Sequence, residues 1–377
     1  MSERLMKVLL VCVLPLTLMC TPLYAAMVFI PLGDLPGAFG TTDFYSVAHG
    51  VSNDGSTVVG MSASGNGQEA FRWTTSLGMV GLGFLPTTGS SYASDVSADG
   101  SVIVGQSGSE AFRWTSGGMT GLGDLPGGVF ESRASGISAD GTVIVGASKS
   151  GNGQEAFRWT SADGMAGLGD LSGGIFSSAA EGISDDGNII TGISTADFNN
   201  QRGFTWTSSG SMVNIGALPG GNESFAYAVA DSGDVVGYGH ISFSPQIGFL
   251  NLDILPHGGL LPTTAWDLSG NAGIVVGYAT VGGNHEAVLW TALEGMQSIR
   301  DLLIADSNDM TGWHLSEATA ISSNGRYIAG FGTNPDGKTE AWLISDLQSV
   351  PEPSSFVLLL GMTALLAGSS RYRRRKV

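Results

Sequence analysis

The sequence predicts an all-β repeat protein, a seven-bladed β-propeller closed by a strand from its own N-terminus. Three observations carry this. One unit recurs seven times at a spacing of about 45 residues, the length of a four-stranded blade. Glycine makes up 58 of 377 residues, about twice the usual share, which suits many short strands joined by tight turns. The seventh unit lacks its fourth segment, and a stray copy of that segment stands ahead of the first unit. An open β-solenoid is the alternative architecture.

The repeat reads A-x-x-[VIL]-S-x-[DN]-G-x-x-[VI]-[VAT]-G. Its copies begin at Ala48, Ala93, Ala134, Ala180, Ala226, Ala265 and Ala318. The fifth is one residue short, and the sixth carries Ala272 in place of glycine. The first strand of each unit ends at an apolar residue such as Val51, Val96 or Ile137. A tight turn follows at Asp54-Gly55, Asp99-Gly100, Asp140-Gly141, Asp186-Gly187 and Asn324-Gly325. Glycine accepts the positive φ such a turn needs, and Asp or Asn bonds its own backbone. The second strand is a β-branched run such as Val102-Ile103-Val104. The third is EAFRWT at Glu69, Glu110 and Glu155, with relatives at Gly203 and Glu286. Period two puts Phe71 and Trp73 on one face and Arg72 on the other. The fourth is the stretch from Met79 to Pro86 and its equivalents, and the stray copy is Ile30 to Gly37. Pairing that copy with the last unit, which ends at Glu340–Ile344, closes the ring and hides two edge strands.

The two ends read as addresses. Arg4 and Lys7 precede an apolar run from Val8 to Met19, and Tyr24-Ala25-Ala26 supplies small residues for cleavage. This is the pattern of a secretory signal peptide over 1–26, engaging the Sec translocon and signal peptidase. Residues 27–349 form the repeat domain. The last part, 350–377, has three pieces in order. Pro351-Glu352-Pro353 is stiff and extended. Phe356 to Gly368 is apolar and shorter than the ~20 residues of an ordinary transmembrane helix. Arg371, Arg373, Arg374, Arg375 and Lys376 form a basic tail that stays cytoplasmic. Read from the residues, this is a stop-transfer segment suited to transient anchoring in the inner membrane. Both cysteines, Cys12 and Cys20, fall within the signal peptide, so the mature chain is expected to have no disulfide.

The order of these three pieces resembles the PEP-CTERM sorting signal of Gram-negative bacteria. The resemblance implies an exosortase as processing partner, cleavage near Pro351-Glu352-Pro353, and delivery to the cell surface or beyond it. It also implies an association with exopolysaccharide and biofilm. The repeat is similar to the bacterial HAF repeat, whose His-Ala-Phe triplet stands here as Glu69-Ala70-Phe71, Glu110-Ala111-Phe112 and Glu155-Ala156-Phe157. That likeness implies a secreted repeat protein and no particular chemistry.

Charge narrows the partners. The chain carries 16 basic and 33 acidic residues. The two ends hold seven of the basic ones and only Glu3 and Glu352 of the acids, so the body has 9 against 31, a net of −22. Such a surface repels phosphate backbones, which excludes nucleic acid. The conspicuous polar residues recur with the repeat, whereas a catalytic centre is a singular constellation. The turn Asp and Asn residues read as structural, the strand-three glutamates as solvated strand ends, and Trp73, Trp114, Trp159, Trp206 and Trp290 as packing. His49, His240, His257, His285 and His314 show no metal-ligand spacing. The expectation is a non-enzymatic scaffold or adhesin of the surface matrix, with no catalytic residue, metal or cofactor. Alternatives are a glycan-binding module and a propeller hydrolase or lyase. Any site is expected in the irregular fifth to seventh units, at the nonrepeating stretches Phe243–Leu260 and Asn308–His314.

Overall fold

The computed structural model describes residues 27–37, 45–86, 89–197, 200–241 and 245–347. They form seven four-stranded antiparallel sheets. Blade one shows the plan. Its inner strand is Ser46–Val51, followed outward by Val58–Ser64, Gly67–Thr74 and Gly78–Gly81. The seventh blade combines His314–Ile321, Ile328–Thr333 and Thr339–Ser345 with an outer strand from the N-terminus, Val28–Pro31. Val28 pairs with Ser345, and Pro31 with Trp342. The ring is closed, and the chain is a seven-bladed β-propeller.

The apolar cores lie between blades, one sheet face against the next. Phe71, Phe112, Phe157, Phe204 and Phe249 of the third strands are fully buried. The cluster joining blades seven and one contains Val58 and Phe71 from one side, and Ala329 and Leu343 from the other. Leu32 and Leu35 of the N-terminal segment fill the gap between them. Each core therefore needs two consecutive blades, and the ring supplies a partner for every face.

The fourth strands are shorter than the sequence suggests. They stop at Gly81 and its equivalents, and the Leu-Gly-x-Leu-Pro stretch that follows is a strap running to the next blade. Gly33, Gly83, Gly123 and Gly169 adopt φ between 73° and 78°, which breaks the ladder there. The strand-three glutamates hold these straps. Glu69, Glu110, Glu155 and Glu340 each accept the backbone N–H of that glycine at 3.0–3.1 Å. Glu69 and Glu340 are buried, at 9% and 7% exposure. They are internal brackets, not solvated strand ends. A carboxylate there satisfies an N–H that the interrupted ladder leaves without a strand partner. In blades one to five a serine of the inner strand completes the joint. Ser46 donates to Gly33 O at 2.6 Å and accepts from Ala341 N at 3.0 Å, and Ser91 makes the same pair with Gly83 and Ala70.

The stretch Asn308–His314, one of the two places where a site was expected, seals the ring. A short helix, Ile299–Ala305, is inserted before the seventh blade and is capped by Ser298. Beyond it, Asn308 lies along the free edge of the N-terminal strand. Its side-chain carbonyl accepts Phe29 N at 3.2 Å, and its amide donates to Met27 O at 2.9 Å. Met27 N also donates to Asp306, and Phe29 packs edge-to-face on Trp313 at 4.9 Å. One amide side chain thus imitates a neighbouring strand and blunts an edge that would otherwise template pairing. The stretch Phe243–Leu260 is likewise less irregular than expected. Among its described residues, Ile247–Leu250 and Asp253–Ile254 are the third and fourth strands of blade five.

Candidate ligand-binding channel

The seven inner strands surround an axial channel. In every blade the inner strand carries a one-residue bulge directly after the repeat alanine. The register moves from Ala48 to Gly50, from Ala93 to Asp95, and likewise to Ala318 and Ala320. A bulge departs from strict alternation and re-aims a side chain. The neighbouring strand must come close to allow it. At Gly60, opposite Ala48, a methyl group would sit 2.0 Å from Val47 O, which explains the glycine ending the repeat. The bulged residues are His49, Ser94, Ser135, Glu181, Tyr227, Trp266 and Thr319. All seven line the channel. Apart from the serines of blades two and three, each blade carries a different residue there.

The wide end encloses about 400 Å³ and the narrow part about 200 Å³. At the wide end Arg133 forms a two-point ion pair with Glu181, at 2.6 and 3.1 Å, and also donates to Ser135 at 2.8 Å. Glu317 accepts from Trp266 Nε1 at 3.0 Å and contacts His285 Nδ1 at 2.9 Å. Tyr227 and Trp266 meet at 4.8 Å and 64°. Outward from them, Trp266 lies 6.2 Å from Tyr278, which stacks on His285 at 3.9 Å. Tyr227 is also 5.9 Å from Tyr238, itself stacked on Phe225. The mouth is therefore an aromatic patch on blades five and six, facing polar groups of blades two to four and seven.

Deeper in, Asp95 and Asp267 occupy the position after the bulge. Each uses one carboxylate oxygen on its own strand and the other across a blade boundary. Asp95 accepts Val96 N at 2.7 Å and Ile137 N at 3.0 Å; Asp267 accepts Leu268 N and Ile321 N, both at 2.8 Å. Both side chains touch channel solvent, but protein surrounds them. That confinement pushes both carboxyls up to about 7, against the lowering by their backbone donors. Asp185 adds to the rise in both. Burial also lowers the basicity of His49. Its Nδ1 lies 2.8 Å from Ala93 O. A carbonyl only accepts, so that nitrogen carries the hydrogen, and Nε2 is left as the acceptor of the neutral ring.

The turn residues stand apart from this cavity. Ser52 Oγ donates to Asp54 Oδ1 at 2.8 Å, and Asp54 Oδ1 accepts Ser56 N at 2.9 Å. Asp99, Asp140 and Asp186 repeat this with Ser97, Ser138 and Ser184. Asn324 does so with Ser322 and Arg326 N. The serine hydroxyls contribute most to holding Asp99, Asp140 and Asp186 below the usual carboxylate range. Gly55, Gly100, Gly141, Gly187 and Gly325 take positive φ beside them, as does Ala272 in blade six. Of the strand-three tryptophans, Trp73 is buried and Trp114, Trp159, Trp206 and Trp290 pack against the inter-blade cores. Trp266, outside that set, is the one at the channel mouth. Among the described residues, no three His, Cys, Asp or Glu side chains are grouped to hold a metal ion. Pro351, Glu352, Pro353 and Arg371–Lys376 lie outside the described residues. No helix among the described residues is long and apolar enough to cross a membrane; the apolar run from Phe356 to Gly368 lies outside them.

The fold and the channel define a β-propeller with a lined axial cavity. Its structural likenesses are to propellers. Oligogalacturonate lyase from Vibrio parahaemolyticus aligns over 87% of this chain and 98% of its own, at 9% identity and a TM-score of 0.54. The β-propeller domain of the trilobed protease from Pyrococcus furiosus, described as having an open velcro topology, aligns over 82% and 100% at 10% identity, with a TM-score of 0.50. For TolB from Acinetobacter baumannii the chain covers 62% of that protein's length, at 12% identity and a TM-score of 0.44. Such identities show the fold alone. No curated protein matches the chain in sequence. Residues 349–376 match the PEP-CTERM protein-sorting motif. The chain therefore carries the signal of an exported protein that is transiently anchored in the membrane and processed by an exosortase.

Proposed function

We propose that the mature protein is a non-enzymatic glycan-binding propeller of the cell surface or its polysaccharide matrix. The observation that carries this reading is the Tyr227–Trp266 pair at the channel mouth, set against hydrogen-bonded carboxylates. Sugars present apolar C–H faces and a rim of hydroxyls. Aromatic rings take the first and fixed polar groups take the second. The side chains are already pinned by one another, so little ordering is left to oppose binding. Pairing also supports a binding role over a catalytic one. Glu181 is engaged by Arg133, and Glu317 by Trp266 and His285, which leaves neither carboxylate free to act as a base. The association with exopolysaccharide that the resemblance of the sorting signal implies is in keeping with such a ligand.

The test is binding of the exported protein to surface polysaccharide purified from the producing cells. Trp266→Ala is expected to weaken binding about tenfold, the loss of roughly 1.4 kcal/mol of stacking. Equal binding by the variant would remove the channel mouth from the interaction. Depolymerisation of the polysaccharide by the wild type would overturn the non-enzymatic reading. The sorting signal has its own test. The double variant Pro351→Ala, Glu352→Ala is expected to retain its C-terminal segment and stay with the inner membrane. Normal release of that variant would mean that the tail is no more than an anchor.

A further inference from the structure

We infer that the channel is a blind cup that takes the end of an uncharged glycan chain. This rests on the glycan-binding reading and goes beyond it, because a through-channel or an open groove would bind the interior of a chain.

The floor carries the inference. At the narrow end, blades one to four, six and seven, and seven and one are joined by hydrogen bonds near the axis. Asn53 N donates to Ala98 O at 2.9 Å, Ala98 N to Ala139 O at 3.0 Å, and Ala139 N to Asp185 O at 2.9 Å. Gly270 N donates to Ser323 O at 2.8 Å, and Asn324 N to Asn53 Oδ1 at 2.9 Å, which joins blade seven to blade one. A side-chain bar then crosses the opening. The Ser323 hydroxyl of blade seven donates to the Asp185 carboxylate of blade four. Blade six is packed hard against this bar. A methyl group on Gly270 would lie 2.4 Å from Ser323 Oγ and 3.1 Å from Asp185 Oδ2. The chamber above the bar measures about 200 Å³, many times the roughly 10–15 Å³ that one water needs. That is room for a terminal sugar ring and no exit for a chain behind it.

Charge selects the kind of chain. Asp95, Asp185, Asp267, Glu181 and Glu317 all contribute to the channel wall or mouth. Among the described lining residues the basic side chain is Arg133, and both of its terminal nitrogens are already bonded to Glu181. The wall therefore offers acceptors in excess. Hydroxyls satisfy them by donating, whereas a uronate would set carboxylate against carboxylate in a confined space.

The experiment is calorimetric titration of the exported protein with defined probes. These are linear α-glucan and β-glucan oligosaccharides, a long polymer of each, their cyclic counterparts (a cyclodextrin and a cyclic β-glucan), and linear oligogalacturonate. Binding of a linear neutral probe is expected, with the cyclic form of the same sugar at least about tenfold weaker. Saturation should stay at one protein per bound chain end as the polymer lengthens. Ser94→Phe, which fills the channel from blade two, should abolish binding while leaving the melting temperature within a few degrees of wild type. Equal affinity for cyclic and linear forms, or many proteins per long chain, would overturn end recognition and leave glycan binding standing. Preference for oligogalacturonate would overturn the charge argument. Silence towards every probe, together with silence towards the producer's own polysaccharide, would overturn glycan binding and this inference with it.

Discussion

Deleting Val28–Gly37 is expected to lower the melting temperature of the exported protein by about 10 °C and to make it scatter light on heating. The segment supplies the outer strand of blade seven, paired from Val28–Ser345 to Pro31–Trp342. It also supplies Leu32 and Leu35, at 5% and 3% exposure, to the core between blades seven and one. Full burial of a leucine is worth about 1.5–3 kcal/mol. Two leucines, the partly buried Phe29 and Ile30, and the orphaned Glu340 bracket together suggest a loss of about 5 kcal/mol. For a domain of this size each kcal/mol moves the midpoint by about 2 °C or somewhat less. The exposed edge at Trp342–Ser345 is then free to pair with another copy. Asn308→Ala should reproduce part of the effect, because it removes the cap and leaves the strand. Melting and scattering unchanged by the deletion would mean that the ring closes without its N-terminal strand.

The second large effect is on pH dependence. The carboxyls of Asp95 and Asp267 sit at about 7 in the folded channel, raised by burial from an ordinary value of 3.8. Between about pH 4 and pH 7 the folded chain therefore holds protons that the unfolded chain has released. Stability must fall as pH rises through that window, and level off above it. The two carboxyls together set a change on the order of 4 kcal/mol, after allowance for screening by channel water. The turn residues act in the opposite sense. Asp99, Asp140 and Asp186 are lowered, so their contribution is present above the ordinary carboxylate range and lost as pH falls below it. The double variant Asp95→Asn, Asp267→Asn should flatten the decline between pH 4 and 7. Its absolute stability is expected to be lower, since an amide nitrogen replaces one of two acceptors facing backbone N–H groups. The slope is the diagnostic quantity. Melting curves of the variant that fall with pH as steeply as the wild type's would show that other groups govern the dependence.

The position of the cavity side chains shows where sequence reasoning reaches its end. The repeat pattern contains two unspecified places after its alanine. They read His-Gly, Ser-Asp, Ser-Gly, Glu-Gly, Tyr-Ala, Trp-Asp and Thr-Ala in the seven copies. Residues as unlike as His, Glu, Tyr and Trp at the place directly after the fixed alanine are a visible signal of a position where the blades differ in what they do. Period-two alternation hid it, because a bulge at that slot turns the side chain into the channel and alternation assumes no bulge. The fifth to seventh units draw the expectation of a site instead, because Phe243–Leu260 and Asn308–His314 look irregular in sequence. The first largely continues blade five, and the second clamps the N-terminal strand.

What the sequence determined by itself was the turns, the number of blades and the way the ring closes. Asp54-Gly55 and its equivalents specify the turns, because the contacts that favour them span two or three residues. The seven copies specify the number of blades. The displaced Leu32-Gly33-Asp34-Leu35-Pro36 stretch specifies how the ring closes, because an unpaired fourth segment has one vacancy to fill. The tertiary structure alone decided what meets across the axis and between blades. Glu340 brackets Gly33 from the opposite end of the chain, Asp185 reaches Ser323 across the channel, and Tyr227 meets Trp266 across a blade boundary. These residues are neighbours only because the ring's curvature brings blades together. No propensity or spacing along the chain encodes that distance.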